Sequence, residues 1–139
     1  METITLPERK HSVSKTVLVV EDDEGILSSL CEVLGYLGCS VEAARNGREG
    51  LDRLRQSAQA PCLILLDLFM PVMDGWEFID HLKDGDFSED RKAIPVVVIS
   101  AAGDRGRRAV ERASEYLIKP IELETLTALV KKYCGAIND

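Results

Sequence analysis

The stretch "LILLDLFMP", residues 63–71, decides the fold. Four aliphatic residues run directly into Asp67. A run that is apolar at every position, rather than at every second one, describes a strand covered on both faces. That is the habit of parallel sheets with helices packed on each side. A carboxylate at the end of such a strand is expensive to bury unless something uses its charge.

Outward from this strand the chain alternates. "TVLVVE" (16–21) and "IPVVVISA" (94–101) are two further apolar strands, and "CSVEAAR" (39–45) and "EYLIK" (115–119) are weaker ones. Between them lie helical patterns. "EGILSSLCEVLGYLG" (24–38) repeats apolar residues at Ile26, Leu30, Val33/Leu34 and Leu37. "NGREGLDRLRQSA" (46–58) is a charged amphipathic helix with Asn46 as its N-cap, and "DGWEFIDHLKD" (74–84) is a third helix capped by Asp74. "GDFSEDRKA" (85–93) reads as a polar loop. "DRGRRAVERA" (104–113) is a weak helix, because Gly106 lies inside it at a cost of about 1 kcal/mol relative to Ala. "ELETLTALVKKYCG" (122–135) closes the chain with a stripe at Leu123, Leu126, Val130 and Tyr133 and a stop at Gly135. The expected architecture is α/β: a flavodoxin-like, doubly wound (βα)5 fold. Its five-stranded parallel sheet has the order 2-1-3-4-5, with helices on both faces.

Bulk properties bound the possibilities. The chain has 139 residues, which suits one domain. We divide it into a flexible leader at 1–14 and a folded unit at 15–139. Its net charge of -7 argues against nucleic acid as a general partner. No apolar run approaches the ~20 residues of a membrane span, and the leader has no signal-peptide core. The cysteines Cys31, Cys39, Cys62 and Cys134 form no CxxC pair, and His11 and His81 are far from them, so zinc is not expected. Cys31 and Cys62 fall within apolar patterns and read as buried free thiols, which points to a reducing, cytoplasmic setting.

In a parallel sheet all strand ends share one rim. That rim would carry Glu21, Asp22 and Asp23 from the first strand, Asp67 from the third, Ser100 from the fourth and Lys119-Pro120 from the fifth. Asp23 is assigned to capping the first helix. Converging carboxylates either take up protons or hold a cation. Oxygen ligands alone favour a hard cation such as Mg²⁺. A lysine and a hydroxyl opposite that cation would bracket a tetrahedral anion, and Asp67 could itself be the nucleophile.

The pieces "VLVVEDD", "LILLDLFMPVMDGWEF", "IPVVVISA" and "YLIKP" resemble the receiver domains of bacterial two-component response regulators, over about residues 15 to 136. The resemblance implies that Asp67 is the phosphoacceptor, served by a histidine kinase or a histidine phosphotransfer protein. It implies Mg²⁺ held by Glu21, Asp22, Asp67 and the backbone carbonyl of Phe69. Lys119 would contact the phosphoryl group through a cis bond to Pro120, and Ser100 and Tyr116 would act as the switch pair. Phosphorylation would then shift the face made by 104–113, the fifth strand and the closing helix, for binding a downstream protein or passing the phosphoryl group onward. Pro71 and Gly75 would shape the loop after the third strand, with Met70 and Met73 packing that loop.

Departures from the family pattern are specific. The stretch between Ser100 and Lys119 is about one helical turn short, and "AS" (113–114) replaces a usual "GA". Arg105, Arg107, Arg108 and Arg112 make the region locally basic, a candidate docking surface for an acidic partner. Phe69 and Ala102, at positions that influence hydrolysis in the family, bring no polar side chain to orient water. Because the chain ends with its closing helix, a single-domain regulator without an output domain is the expectation, acting as a switch rather than as an enzyme. Two alternatives remain: an aspartate-nucleophile phosphatase, disfavoured because Phe69 stands where a second Asp is needed, and a degenerate receiver that binds partners without phosphorylation.

Overall fold

The computed structural model describes residues 15–101 and 111–135. The leader expected at 1–14 and most of the helix expected at 104–113 lie outside the described residues, as does Ala102. Five strands form one parallel sheet: β1 (Thr16–Val20), β2 (Ser40–Ala44), β3 (Leu63–Asp67), β4 (Val96–Ser100) and β5 (Glu115–Ile118). Their order is β2-β1-β3-β4-β5, the flavodoxin-like arrangement. Register is unbroken across the centre, with Val20 beside Leu66 and Asp67 beside Ile99.

Every residue of β3 and β4 is buried, whereas the edge strands β2 and β5 are mostly half-exposed. This explains why the central strands read as continuous apolar runs and the outer two as weak ones. Alternate side chains of each strand point to opposite faces. Leu18, Val20, Ile64, Leu66, Val96 and Val98 supply one core, and Val17, Val19, Leu63, Leu65, Val97 and Ile99 the other. Helices α2 (Gly47–Gln56) and α3 (Gly75–Asp84) cover the first core through Leu51, Leu54, Phe78 and Leu82. Helix α1 (Glu24–Tyr36) and the closing helix α5 (Leu123–Cys134) cover the second. Right-handed crossovers require this division, because the chain first steps outward from β1 to β2 and then reverses direction to β3. Each fully buried Leu, Ile or Phe contributes about 1.5–3 kcal/mol of transfer free energy.

The helix caps match the sequence reading. Asp23, Asn46 and Asp74 accept from the backbone N–H groups of Ile26, Glu49 and Glu77, each at 2.9 Å. Asp74 and Glu77 complete a capping box.

Several expectations need correction. Along α1, Leu30, Leu34 and the following Leu37 are buried as expected, Leu27 joins them, and Ile26 and Val33 are only half-buried. In α5, Leu123 is exposed, and Leu126, Leu129, Val130 and Cys134 face the core. Leu123 opens the helix at the rim of the sheet, and Tyr133 turns its hydroxyl to Glu115. The polar loop at 85–93 contains a one-turn helix, α4 (Glu89–Lys92). Glu111 carries 3-10 geometry and residues 112–114 turn into β5, while the rest of the helix expected at 104–113 lies outside the described residues.

Cys62 is not a free thiol: it is joined to Cys134, 72 residues away, with Cα atoms 5.2 Å apart. The closing helix runs back along the sheet and returns its last turn to the start of β3. Sequence spacing cannot show that approach. Cys31 and Cys39 are free.

Candidate functional site

The topological switch point lies between β1 and β3, where the chain leaves in opposite directions and a crevice opens at the carboxyl ends. Glu21 follows β1 and is fully buried. Its backbone N–H donates to Ala44, and its Oε2 accepts from the backbone N–H of Asp23 at 3.1 Å. Asp67 ends β3 with 4% of its surface exposed. Asp22 faces solvent beside them. Carboxylate oxygens of Glu21, Asp22 and Asp67 lie within 4.8 Å of one another.

Lys119 reaches into this group from the end of β5. Its backbone N–H donates to Ser100 at 3.1 Å, and its peptide bond to Pro120 is cis. The Nζ atom stands 2.9 Å from Glu21 Oε1 and 3.2 Å from Asp67 Oδ1. Lys119 Nζ is thus the cationic partner of Glu21 Oε1 as well as of Asp67.

Burial, reinforced by the neighbouring charge of Glu21, pushes the Asp67 carboxyl up to about 6, against the pull of Lys119. Burial draws Lys119 down, but Glu21 and Asp67 outweigh it and hold the ammonium above the ordinary lysine range. Two buried negative groups therefore share one cation. Three carboxylates gathered around one ammonium, a set of oxygen ligands without nitrogen or sulfur, fit a hard divalent cation.

Ser100 is fully buried at the end of β4, one position beyond Ile99, the register partner of Asp67. Tyr116 pairs with Val98, is half-buried, and packs against the α2/α3 core. Both therefore belong to the same face of the sheet. Phe69 is 43% exposed, and its ring meets Trp76 edge-on at 5.0 Å. Nothing in the sequence pattern marks Trp76 as a neighbour of the site.

The loop between β3 and α3 is pinned tightly. Gly75 N–H donates to Leu68, and a Cβ at Gly75 would lie 2.6 Å from the carbonyl oxygen of Asp67. Only glycine permits that approach. Pro71 accepts from the Met73 N–H at 2.7 Å, around Val72 at φ 69°. This is a tight, strained turn that the sequence reading did not anticipate. Met70 and Met73 pack against the α2/α3 core.

Arg112 is engaged rather than available. Its guanidinium forks onto Asp84 at 2.7 and 3.0 Å and reaches Asp80 at 2.9 Å. Arg105, Arg107 and Arg108 lie outside the described residues.

A sequence model of the response regulator receiver domain matches residues 17–131. The chain belongs to that family. It is a receiver domain of two-component signalling. The response regulator MprA of Mycolicibacterium vanbaalenii is 35% identical over 119 residues, 83% of this chain and 48% of its own length. The polar-differentiation response regulator DivK of Brucella anthropi is 32% identical over 124 residues, 87% of this chain and 97% of its own length. The receiver domain thus spans about half the length of one relative and nearly all of the other. Among solved structures, the receiver domain of a signal transduction histidine kinase from Syntrophus aciditrophicus superposes with a TM-score of 0.74 at 31% identity, covering 88% of this chain and 91% of that one. The response regulator TrrA of Thermotoga maritima, solved in complex with Mg²⁺-BeF, superposes with a TM-score of 0.72 at 27% identity, covering 86% and 98%. Among the described residues no helix is long and apolar enough to cross a membrane.

Proposed function

We propose that Asp67 is the phosphoacceptor of this receiver domain, taking its phosphoryl group from a phosphohistidine of a histidine kinase or histidine phosphotransfer protein. The observation that carries this reading is the convergence of Glu21, Asp22 and Asp67 on one cation-seeking crevice with Lys119 inside it. In the reaction a carboxylate oxygen of Asp67 attacks phosphorus. The phosphorus–nitrogen bond of the donor breaks and an acyl phosphate forms. Such transfer depends on positioning and charge neutralisation. Lys119 holds Asp67 in place and then meets the phosphoryl oxygens.

Mg²⁺ would be held by Glu21, Asp22, Asp67 and the backbone carbonyl of Phe69, supplying positive charge to the phosphoryl oxygens when bound. The Mg²⁺-BeF complex of TrrA supports this choice of cation. Ser100 and Tyr116 would carry the phosphorylated state to the face of β5 and α5, in the manner of a population shift between two pre-existing arrangements. That face would then bind a downstream protein or release the phosphoryl group onward. A largely apolar cleft of about 500 Å³, lined by Ile26, Leu30, Lys119, Pro120 and Ile121, opens beside the acids and offers a phosphodonor protein a point of entry. We place the domain in the cytoplasm, on its family and the lack of a spanning helix among the described residues.

The test is direct. The protein is incubated with acetyl phosphate or phosphoramidate and Mg²⁺, and intact mass is followed for Asp67 and Asp67→Asn. One phosphoryl gain that requires both Asp67 and Mg²⁺ is expected. No adduct would leave a binding module that works without phosphorylation. Steady turnover of phosphate monoesters would make the protein a phosphatase.

A further inference from the structure

Cys62 and Cys134 meet at the opposite end of the sheet from Asp67, where β3 begins and α5 ends. Their accessibilities differ. Cys62 is half-buried, whereas Cys134 is 1% exposed and belongs to the α1/α5 core. An incoming thiolate therefore reaches the Cys62 sulfur first, and Cys134 is the leaving group.

The surroundings suit both oxidation states. Cys62 Sγ lies 3.4 Å from the Thr16 carbonyl oxygen. A disulfide sulfur has no proton for that acceptor, but a reduced Cys62 thiol does. The Cys134 thiol, once released, remains as a small apolar group among apolar neighbours. Neither state demands a different fold. On the same turn of α5, Lys132 and Tyr133 both hold Glu115 of β5. Those ties contain no sulfur, so reduction removes one attachment of the helix end and leaves two.

We propose that Cys62 and Cys134 form a reversible thiol–disulfide exchange site for low-molecular-weight thiols and disulfides of the glutathione class, whose state sets how firmly the end of α5 is held to the start of β3. In oxidation the Cys62 thiolate attacks the co-reactant disulfide, whose sulfur–sulfur bond breaks and releases one thiol. The Cys134 thiolate then attacks the Cys62 sulfur and expels the second thiol. Two protein thiols become one disulfide, one small disulfide becomes two thiols, and the two protons pass to the departing thiolates. Reduction runs the same steps backwards with two thiol equivalents. Cys31 and Cys39 are free and neither is joined to a second sulfur among the described residues, so neither has a resolving thiol with which to complete the exchange.

The experiment equilibrates the full chain over a range of reduced-to-oxidised glutathione ratios, quenches with acid, alkylates, and maps peptides by mass. The Cys62–Cys134 disulfide should form and disappear reversibly while Cys31 and Cys39 stay alkylatable. In the reduced, folded protein Cys62 should alkylate at least about tenfold faster than Cys134. Amide exchange in the last turn of α5 should quicken on reduction by about tenfold, with α1 unchanged. These readings need no variant. Cys62→Ser and Cys134→Ser should each abolish the internal bond, and Asp67→Asn should leave the titration unaltered, which separates this site from the phosphoacceptor. The proposal is overturned if both cysteines remain alkylatable at every ratio, if the bond resists excess thiol in the folded protein, or if α5 exchanges equally in both states.

Discussion

Asp67 is pulled in opposite directions by its surroundings. Burial and Glu21 disfavour its charge, and Lys119 favours it. Its proton affinity is raised in the folded state, so between pH 3.8 and about 6 the folded form keeps a proton that the unfolded chain has lost. In metal-free protein, stability therefore falls as pH rises through that window and is flat above it. The full shift would correspond to about 3 kcal/mol. Solvent at the rim screens part of it, so Asp67→Asn in chelator should stabilise the fold by about 1–2 kcal/mol at pH 7.5. The gain should shrink as pH drops below 6. Paired thermal melts of both proteins across pH check the sign, and a loss of stability at pH 7.5 would refute it. Phe69 belongs to the same scale. Its ring is braced by Trp76 and brings no polar group to a hydrolytic water. We expect the Asp67 phosphate to persist for minutes and Phe69→Asn to shorten its lifetime, as measured by decay of the phosphorylated mass after donor removal.

Elements are joined to one another through their ends. Helix α2 would expose unsatisfied carbonyls at its C-terminus, but Arg91 of α4 donates to Leu54 at 3.1 Å and Ser57 at 2.6 Å. A one-turn helix gains little by itself; α4 is held because it presents this guanidinium and lies between the buried Phe87 and Ile94. Arg91→Ala should cost about 1–2 kcal/mol in denaturant unfolding, by removing two charge-assisted hydrogen bonds at a helix C-terminus. An unchanged midpoint would show that water replaces them. On the other side of α3, the fork of Arg112 onto Asp80 and Asp84 fixes where the chain enters β5. This is the reason Arg112 cannot be counted with a free basic surface, as its charge alone had implied.

The described residues form two cores on the two faces of one sheet, and their chemistry lies at the two ends of its strands. One end gathers the acids and Lys119, and the other joins Cys62 to Cys134. Divalent cation binding at the first end should stabilise the whole fold by mass action, by roughly 2.7 kcal/mol at about 100 times the dissociation constant. A rising melting temperature with added Mg²⁺, absent when Glu21→Gln and Asp22→Asn are combined, is the expected result. No shift would argue against the metal site.

The βα alternation, the two-sided burial of β3 and the placing of Glu21, Asp22, Asp67, Ser100 and Lys119 at the strand ends were legible from residue pattern, whereas the strand order entered with the flavodoxin-like arrangement and was then found in the sheet. The physical reason is that these depend on local periodicity and on the handedness of crossovers, which act over one βαβ unit at a time. The caps Asp23, Asn46 and Asp74 were legible for the same reason. The Cys62–Cys134 bond, the grip of Arg91 on α2, the fork of Arg112 and the Phe69–Trp76 contact were not. Each joins positions whose approach depends on how whole helices lie on the sheet, and no short-range pattern encodes that angle. Single positions shift likewise: Leu27, Leu129 and Cys134 enter the core and Ile26 and Leu123 do not, since periodicity marks an apolar face only to within about one residue. The sequence by itself determined which groups stand at the rim of the sheet. Only the tertiary structure decided which of them share a charge, which cations are already paired, and which two sulfurs meet, because those are settled by distances of a few ångströms between elements far apart in the chain.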